Sequence, residues 1–300
     1  MTTSDGPNAW KPGSAPVAVV MISLNEAHNM EAVLQNLQGW AQQVFLVDSF
    51  SADDTVDIAL RHGVHVVQRP FRGFGDQWNF ALRELPITAP WTMKLDPDER
   101  LGPGLKREIE QRLLLQDPID GYRVPIRLYF MGQRLGHALC LSRLWRTGAA
   151  CFSDVLANEH ARVEGEEGVL HEEIEHRDSP DLDHWMIKQN RYSTAEAAAR
   201  FQQHPLADTP QLLGTPLQRR MWLKRHFWRL PGRYLVLFAY HLLALGAWRA
   251  GRVGWIWARL RTEVFRLQEY KYFEIQRLGR LPSRVPSHVG LPDPRVQQHD

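Results

Sequence analysis

The chain has 300 residues, 44% of them hydrophobic and 23% charged, which suits one large globular domain with or without an appendage. The net charge of +2 is unevenly placed, because segment 219–271 carries twelve Lys and Arg against two acids, which leaves −8 for the rest of the chain. The two cysteines, Cys140 and Cys151, form no spaced cluster, which excludes a cysteine zinc site and a disulfide framework.

Residues 1–16 contain Gly, Pro, Ser and Asn but no apolar core, so they predict a flexible leader and not a signal peptide. With neither a secretion signal nor a cysteine framework, a reducing, cytoplasmic location is the default expectation. Ordered structure is predicted to begin at Val17.

Short apolar strands alternate with helices from Val17 to Asp96. The strands are predicted at residues 17–23, 44–48, 64–68 and 91–96. The helices between them are predicted at residues 30–37, 51–63 and 75–83, the second with a cap formed by Ser51 and Asp54. Strands that alternate with helices predict right-handed crossovers and a mostly parallel sheet.

The pattern changes after Gly104. A helix predicted to run to Leu115 is followed by two β-like stretches, at 121–130 and 138–146, and then by a helix at 182–201. From Met221 onward the sequence is rich in Trp, Leu and Arg and predicts further helices. The chain contains no internal repeat and no low-complexity run.

Polar residues follow three of the four predicted strands. They are Ser23-Leu24-Asn25-Glu26, Asp48-Ser49 and Asp96-Pro97-Asp98-Glu99. Ligands of an open parallel sheet bind beyond the carboxyl ends of its strands. Two carboxylates on such a turn suit Mg²⁺ or Mn²⁺, which can hold a diphosphate. An isolated Asp-x-Asp is usually a solvated turn, but its position after an apolar strand, with Asp48 after another, favours the metal site.

Four segments in this order resemble the donor half of the family 2 glycosyltransferases of GT-A fold. They are VMISLNEAHNM, FLVDSFSADDT, FRGFGDQWNFAL and WTMKLDPDER. The resemblance is strongest to the branch that includes lipopolysaccharide core and cell-surface polysaccharide glycosyltransferases. It continues through GYRVPIRLYFMGQRLGHALCLSRLWR, LANEHARVEG and KQNRYSTAEA, and thus covers roughly residues 17–200.

The resemblance implies a role for each matching residue. It places Asp98 as the direct metal ligand and Asp96 nearer the ribose or sugar. Asp48 is expected to contact the nucleotide base. The remaining donor-binding residues implied by the motifs are Ser23, Asn25, Glu26, Gln77 and Asn79.

The resemblance also implies the catalytic base. The branch carries His-Glu where this chain has Asn158-Glu159, so Glu159 is predicted as the base. It would take a proton from an acceptor hydroxyl, which attacks the anomeric carbon opposite the nucleotide and inverts the configuration. The competing interpretation is that Glu159 is a surface carboxylate in an acid-rich loop, and the missing His leaves the role of any histidine there open.

These observations predict an α/β fold of GT-A type, a mostly parallel sheet flanked by helices, with a C-terminal α-helical membrane-associating extension. The predicted domains are a flexible leader (1–16), a catalytic domain (17–204), a helical basic and aromatic extension (205–280) and a flexible tail (281–300). The catalytic domain divides into a nucleotide-sugar half (17–103) and an acceptor half (104–204).

The predicted function is that of a metal-dependent, inverting hexosyltransferase. It would move a sugar from a nucleotide-diphosphate donor to a lipid-linked saccharide in lipopolysaccharide core or exopolysaccharide synthesis. One alternative is a nucleotidyltransferase-like enzyme, but SLNEAHN lacks the basic Gly-rich signature that such an enzyme needs after its first strand. The other alternative is a non-catalytic membrane-bound scaffold that has kept the fold. The sugar, nucleotide, acceptor and oligomeric state are left open.

The C-terminal segment has a composition typical of a membrane-surface helix. Its fifteen uncharged residues YLVLFAYHLLALGAW fall short of the roughly 20 needed to cross a bilayer. Interleaved Arg and Trp favour a helix in the headgroup layer, so peripheral association with the inner face of the cell membrane is expected, and no nucleic acid. Apolar contact is expected from Leu237, Phe238, Leu242 and Trp255. A buried hairpin or a subunit interface is the competing interpretation.

Overall fold

The computed structural model describes residues 9–115, 118–152, 161–202 and 209–282. These residues divide into two compact units. The first contains the described residues up to Tyr129 and Ala138–Pro180, and the second contains Phe130–His137 and the described residues from Asp181 onward.

The first half of the first unit alternates strands and helices as predicted. Its elements are β1 (Ala15–Ser23), α1 (Ala27–Leu37), β2 (Ala41–Asp48), α2 (Thr55–Arg61), β3 (His65–Gln68), α3 (Phe74–Glu84) and β4 (Trp91–Lys94). The prediction that Ser51 caps α2 is wrong. The N-cap residue of α2 is Asp54, which makes no capping hydrogen bond with its side chain, and Ser51 bonds to Asp48.

The rest of the first unit is a series of strands with one helix. They are β5 (Glu99–Leu101), α4 (Pro103–Leu114), β6 (Gly121–Phe130), β7 (Gln133–Arg146), β8 (Ala150–Phe152), β9 (Ala161–Val163), β10 (Glu167–Val169) and β11 (Ile174–His176). Five of these strands, β5 and β8–β11, are only three residues long, too short for the alternation of apolar residues that predicts a strand.

The main sheet has the strand order β3-β2-β1-β4-β7-β6-β11-β5, with β10 beside β6. Strands β1 to β4 run parallel, and β7 joins them antiparallel to β4. Strands β10 and β11 both run parallel to β6. The parallel strands therefore end at one edge, where the loops after β1, β2 and β4 meet.

The core occupies both faces of this sheet. On β1, Val17, Val19 and Met21 pack on the face covered by α1, whereas Ala18 and Val20 pack on the face that carries Trp78 of α3. Alternate residues of a strand point to opposite faces, so a strand covered on both sides must be apolar throughout. This explains why β1 shows no polar alternation in the sequence.

The second unit is helical apart from the β6–β7 tip, whose turn residues Met131 and Gly132 have φ of 48° and 71°. Its helices are α5 (Leu182–Phe201), α6 (Pro216–His226), α7 (Arg233–Ala239) and α8 (Gly251–Leu278). A π-helical turn, Tyr240–Ala244, extends α7, and a 3₁₀ turn, Ala247–Ala250, precedes α8. Helix α5 packs along α8, and no helix in the described part of the chain is long and apolar enough to cross a membrane.

Candidate active site

The loops after β1 and β2 are bonded to each other. Asn25 has a φ of 57°, which asparagine tolerates. Its side-chain Oδ1 accepts from the Ala52 backbone amide at 2.8 Å, and its backbone amide donates to Ser51 Oγ at 2.8 Å. The Glu26 amide donates to Thr55 Oγ1 at 2.8 Å. Three of the predicted donor-binding residues, Ser23, Asn25 and Glu26, therefore lie on one cross-linked pair of loops.

The side chain of Asp48 links the end of β1 to the loop after β2. Its side chain is fully buried and accepts hydrogen bonds from Ser23 Oγ at 2.8 Å, Gln68 Nε2 at 3.0 Å, and both the amide and the hydroxyl of Ser51. Four donors fill the acceptor capacity of a carboxylate. Direct contact of Asp48 with a nucleotide base stays a prediction, and it requires one of these bonds to be exchanged.

Gln77 and Asn79, on the first two turns of α3, make different contacts. Gln77 is fully buried, and its Nε2 donates to Ser49 Oγ at 3.3 Å beside the end of β2. Its Oε1 has no hydrogen-bond partner among the described residues. Asn79 bonds the backbone of Phe152 twice, donating to its carbonyl at 3.0 Å and accepting from its amide at 2.8 Å. Gln77 thus lies at the edge of the sheet where the loops after β1, β2 and β4 meet, called the donor edge because the nucleotide-sugar donor is expected there. The side-chain amide of Asn79 instead anchors β8.

The turn after β4 is held by Arg143 of β7. Its Nη2 lies 3.1 Å from Asp96 Oδ2 and 2.7 Å from Glu99 Oε1, and Glu99 Oε2 accepts from the Asp96 amide at 2.9 Å. Arg143 and Glu99 are both buried. Arg100 braces the same turn through the Pro97 carbonyl oxygen. The backbone between the two aspartates is therefore bonded on several sides.

Charges around this turn shift its carboxyl groups in opposite directions. Burial alone would raise the pKa of Asp96, but the Arg143 guanidinium and the Lys94 ammonium hold that pKa below its ordinary value. Burial raises the pKa of Glu99 to about 7, although Arg143 opposes the rise. The Lys94 ammonium itself lies 4.5 Å from the Trp78 ring centre. Asp96 is thus the member of this pair that stays ionised at neutral pH.

Asp98 belongs to a separate cluster with His176 and Asp178. His176 Nε2 lies 3.1 Å from Asp98 Oδ2 and 4.0 Å from Asp178 Oδ1, and one ligand atom from each residue lies within 4.8 Å of the other two. Strand β11 runs antiparallel to β5 with His176 opposite Glu99, which brings His176 to the turn. Burial would lower the pKa of His176, but the carboxylate of Asp98 raises it to about 9.

The chemistry of this donor set fits a divalent cation. Carboxylate oxygens suit Mg²⁺ and Mn²⁺, and His176 would add a nitrogen ligand once metal binding displaces its proton. The three ligand atoms are already close enough for one ion to touch all of them. Asp98 was expected from the sequence to bind the metal, whereas His176 and Asp178 were not.

Sequence reasoning missed these residues for different reasons. His176 ends a three-residue strand and resembles a scattered surface histidine, and no local pattern marks it or Asp178. Arg143 lies in the Arg-Leu-aromatic-Arg stretch of the quoted motif, and that position could have marked it as a site residue. The predicted base, Glu159, lies outside the described residues.

A mostly parallel sheet flanked by helices, with an acidic turn beyond β4, is the GT-A type of fold of nucleotide-diphospho-sugar transferases, as predicted. Residues 18–138 match the model of glycosyl transferase family 2.

The chain is similar to several known proteins over much of its length. The lipopolysaccharide core biosynthesis glycosyltransferase LpsC of Rhizobium meliloti is 26% identical over 229 residues, 71% of this chain and 83% of that protein. An uncharacterized glycosyltransferase of Rickettsia felis is 26% identical over 60% of this chain and 69% of its own length. The mannosyltransferase PcManGT from Pyrobaculum calidifontis, solved in complex with GDP-Man and Mn²⁺, is 16% identical with a TM-score of 0.47, over 89% of this chain and 91% of that chain.

Proposed function

We propose that this chain is an inverting hexosyltransferase that moves a sugar from a nucleotide-diphosphate donor to a lipid-linked saccharide. The product would belong to a cell-surface glycan, lipopolysaccharide core or exopolysaccharide. The main support for the proposal is that the two aspartates in the turn after β4 have different partners. Asp98 clusters with His176 and Asp178, whereas Asp96 pairs with Arg143.

The two aspartates have separate tasks in this proposal. Asp98, His176 and Asp178 hold Mg²⁺ or Mn²⁺, which when bound neutralises the charge that collects on the departing diphosphate. Asp96, kept ionised by Arg143 and Lys94, accepts hydrogen bonds from hydroxyl groups of the ribose or the sugar. A carboxylate already paired with a buried guanidinium is fixed in position before the donor arrives, so less ordering is needed on binding.

The nucleoside end of the donor would lie along the loops after β1 and β2. Asn25 and Glu26 line it, and Ser23 and Asp48 hold these loops or exchange a bond with the base. The unpartnered Oε1 of buried Gln77 is an acceptor that a hydroxyl or N–H of the donor could satisfy.

Glu159 is the proposed base. The segment that contains it is flanked by β8 and β9, which pair Phe152 with Ala161, so its two ends lie side by side. Phe152 is bonded to Asn79 and its ring stacks on Trp78 at 5.5 Å, which anchors one end on the helix that carries Gln77. Phe152 and Ala161, the described residues on either side of this segment, therefore lie beside α3.

The acceptor and the location rest on the relatives and on composition. The similarity to LpsC over most of its length supports a saccharide acceptor of the lipopolysaccharide core type. Such acceptors are built on lipid, and a basic, aromatic C-terminal segment is suited to the cytoplasmic face of the membrane that carries them.

Hydrolysis of nucleotide sugars without acceptor tests the proposal. The full chain is incubated with a panel of nucleotide-diphosphate sugars, with Mg²⁺, Mn²⁺ or chelator, and nucleoside diphosphate release is measured. Metal-dependent release from one donor is expected. Pyrophosphate release from a nucleoside triphosphate and sugar phosphate would instead indicate a nucleotidyltransferase, and absence of any metal-dependent nucleotide affinity would indicate a scaffold.

A further inference from the structure

Large apolar side chains are exposed on α7, on the turns after it and at the start of α8. The exposed fraction is 74% for Leu235, 67% for Val236 and 64% for Leu243. These residues, with Tyr240, Trp248 and Trp255, are called the apolar face. Leu237, Phe238 and Leu242, which the sequence analysis expected to make apolar contact, are only partly exposed. The side chains that reach solvent are thus largely the neighbours of the expected ones.

The apolar face is the outer side of a packed helical hairpin. Val236, Tyr240 and Leu243 follow at helical spacing, and Trp255 lies beside α7 through its contact with Phe238, 6.1 Å between ring centres. The inner side is filled by buried His241, whose ring lies 5.4 Å from that of Trp257 on α8. Because the hairpin already has its own core, the outer residues are not needed to hold it together.

Charge identifies the kind of partner. Residues 209–262 contain ten Lys and Arg and no Asp or Glu. Arg249, Arg252 and Arg259 are exposed, at the turn and along the first half of α8 where Trp255 also lies. Arg249 stacks on Trp248 at 5.4 Å, and Arg252 is three positions from Trp255. Arg259 is paired with Glu263 at 3.3 Å, so Arg249 and Arg252 are the arginines considered for the partner. An apolar strip bordered by arginine and tryptophan complements a surface that is apolar inside and anionic outside.

We propose that the apolar face inserts into the headgroup layer of an anionic phospholipid bilayer, with Arg249 and Arg252 on lipid phosphates. The helical run 233–244 is about 18 Å long, against about 30 Å of hydrocarbon, so it lies in the membrane surface and does not cross it. This proposal rests on the proposed function and adds to it an anionic phospholipid surface as the partner of the transferase. Vesicle binding and donor hydrolysis are separate measurements, so either proposal can fail while the other stands.

Sedimentation with vesicles tests the face directly. The full chain is mixed with phosphatidylcholine vesicles, with or without about 30% phosphatidylglycerol, at about 0.1 M and 1 M salt. Two double variants are compared, Val236→Glu with Leu243→Glu, and Arg249→Gln with Arg252→Gln. Leu114→Glu and Arg83→Gln, at exposed positions of the first unit, are the matched controls.

The apolar variant is expected to lose at least about tenfold in partition at both salt concentrations, because glutamate is costly to insert. The arginine variant is expected to lose about tenfold on anionic vesicles at low salt and little at high salt. The controls should bind as the unchanged protein does. Donor hydrolysis should be equal in all of them, which shows that the variants fold.

Three results would overturn the proposal. One is failure of the unchanged chain to sediment with anionic vesicles at low salt. Another is equal vesicle binding by both double variants and the controls. The third is a dimer in sedimentation velocity that Val236→Glu with Leu243→Glu converts to a monomer while vesicle binding stays the same, which would assign the face to a second copy of the chain.

Discussion

The two units treat charge and apolar surface in opposite ways. In the first unit, charged side chains such as Glu99 and Arg143 are drawn inside and paired, and the apolar residues of β1 are hidden on both faces of the sheet. In the second unit, Leu235, Val236 and Leu243 face solvent in a segment where Lys and Arg far outnumber Asp and Glu.

Burying a charge costs free energy unless a partner and hydrogen bonds compensate it, so paired buried charges are kept where chemistry needs fixed polar groups. Exposing large apolar groups costs solubility, so an exposed apolar strip is kept where a partner covers it. The contrast therefore assigns chemistry to the first unit and docking to the second. The following substitutions should affect one unit and spare the other.

The largest effect is expected for Asp98→Asn. The amide of asparagine carries no negative charge and binds a divalent cation more weakly than the carboxylate does, so sugar transfer should fall at least about 10²-fold and the response to Mn²⁺ should be largely lost. Vesicle binding should be unchanged. Asp57→Asn, at an exposed position of α2, is the control. Near-normal turnover with the same metal response would contradict the metal assignment.

Glu159→Gln keeps the shape of the side chain but cannot accept a proton at neutral pH. The transfer rate should fall about 10²-fold or more while donor binding, measured by calorimetry, stays close to normal. Glu166→Gln, at an exposed position after β9, is a suitable comparison. If the rate falls only a few-fold, the base lies elsewhere, and Glu164 and His160 are the next residues to test.

Arg143→Met should lower kcat/KM for the donor by about tenfold or more, because Asp96 loses the guanidinium that holds its pKa down and fixes its carboxylate in position. Arg143→Lys should recover only part of the loss, since the lysine ammonium ends one bond short of Nη2, the atom that contacts both carboxylates. The dissociation constant for Mn²⁺ should stay within a few-fold, because Arg143 contacts Asp96 and Glu99, whereas Asp98 lies against His176.

Arg146→Met supplies the control for that experiment. Arg146 lies three residues further along β7, and its guanidinium stacks on Trp91 at 4.9 Å and faces Asp120. It should affect stability more than donor kinetics. Loss of metal affinity in Arg143→Met equal to the loss in kcat/KM would show that the two aspartates do not act separately.

The smallest expected effect is a pH dependence of the stability of the second unit. Burial, with help from Arg261, lowers the pKa of His241 to about 4, and its ring is packed by Tyr240, Trp257 and Phe265. Above pH 6.5 the ring is neutral in both states and contributes no pH dependence. As pH falls from 6.5 to 4 the unfolded chain binds a proton that the folded chain excludes, so stability decreases.

His241→Phe keeps the aromatic packing and removes the proton. Its thermal midpoint should therefore fall less between pH 7 and pH 4.5 than that of the unchanged protein, followed by the aromatic circular dichroism of the Trp-rich helices. Identical pH profiles for the two proteins would show that His241 is not the group responsible. Donor binding at pH 7 should be equal in both.

Periodicity predicted the order and type of the long elements. The helix predicted at 182–201 matches α5, and the four parallel strands were all expected. Both the alternation and the helical spacing depend on neighbours a few positions apart, so they are legible in one sequence. The three-residue strands β5 and β8 to β11 were not predicted, because pairing with distant partners defines them.

The sequence alone determined that Asp48, Asp96 and Asp98 lie close together, because each follows or ends a parallel strand and these strands end at the same edge of the sheet. It also determined the charge asymmetry of the C-terminal segment. Only the tertiary structure decided that Asp98 joins His176, which is 78 residues away, and that Arg143 spans Asp96 and Glu99. It also decided which apolar residues of α7 face outward, because a helix that is apolar all round turns one side inward only when its partner helix is in place.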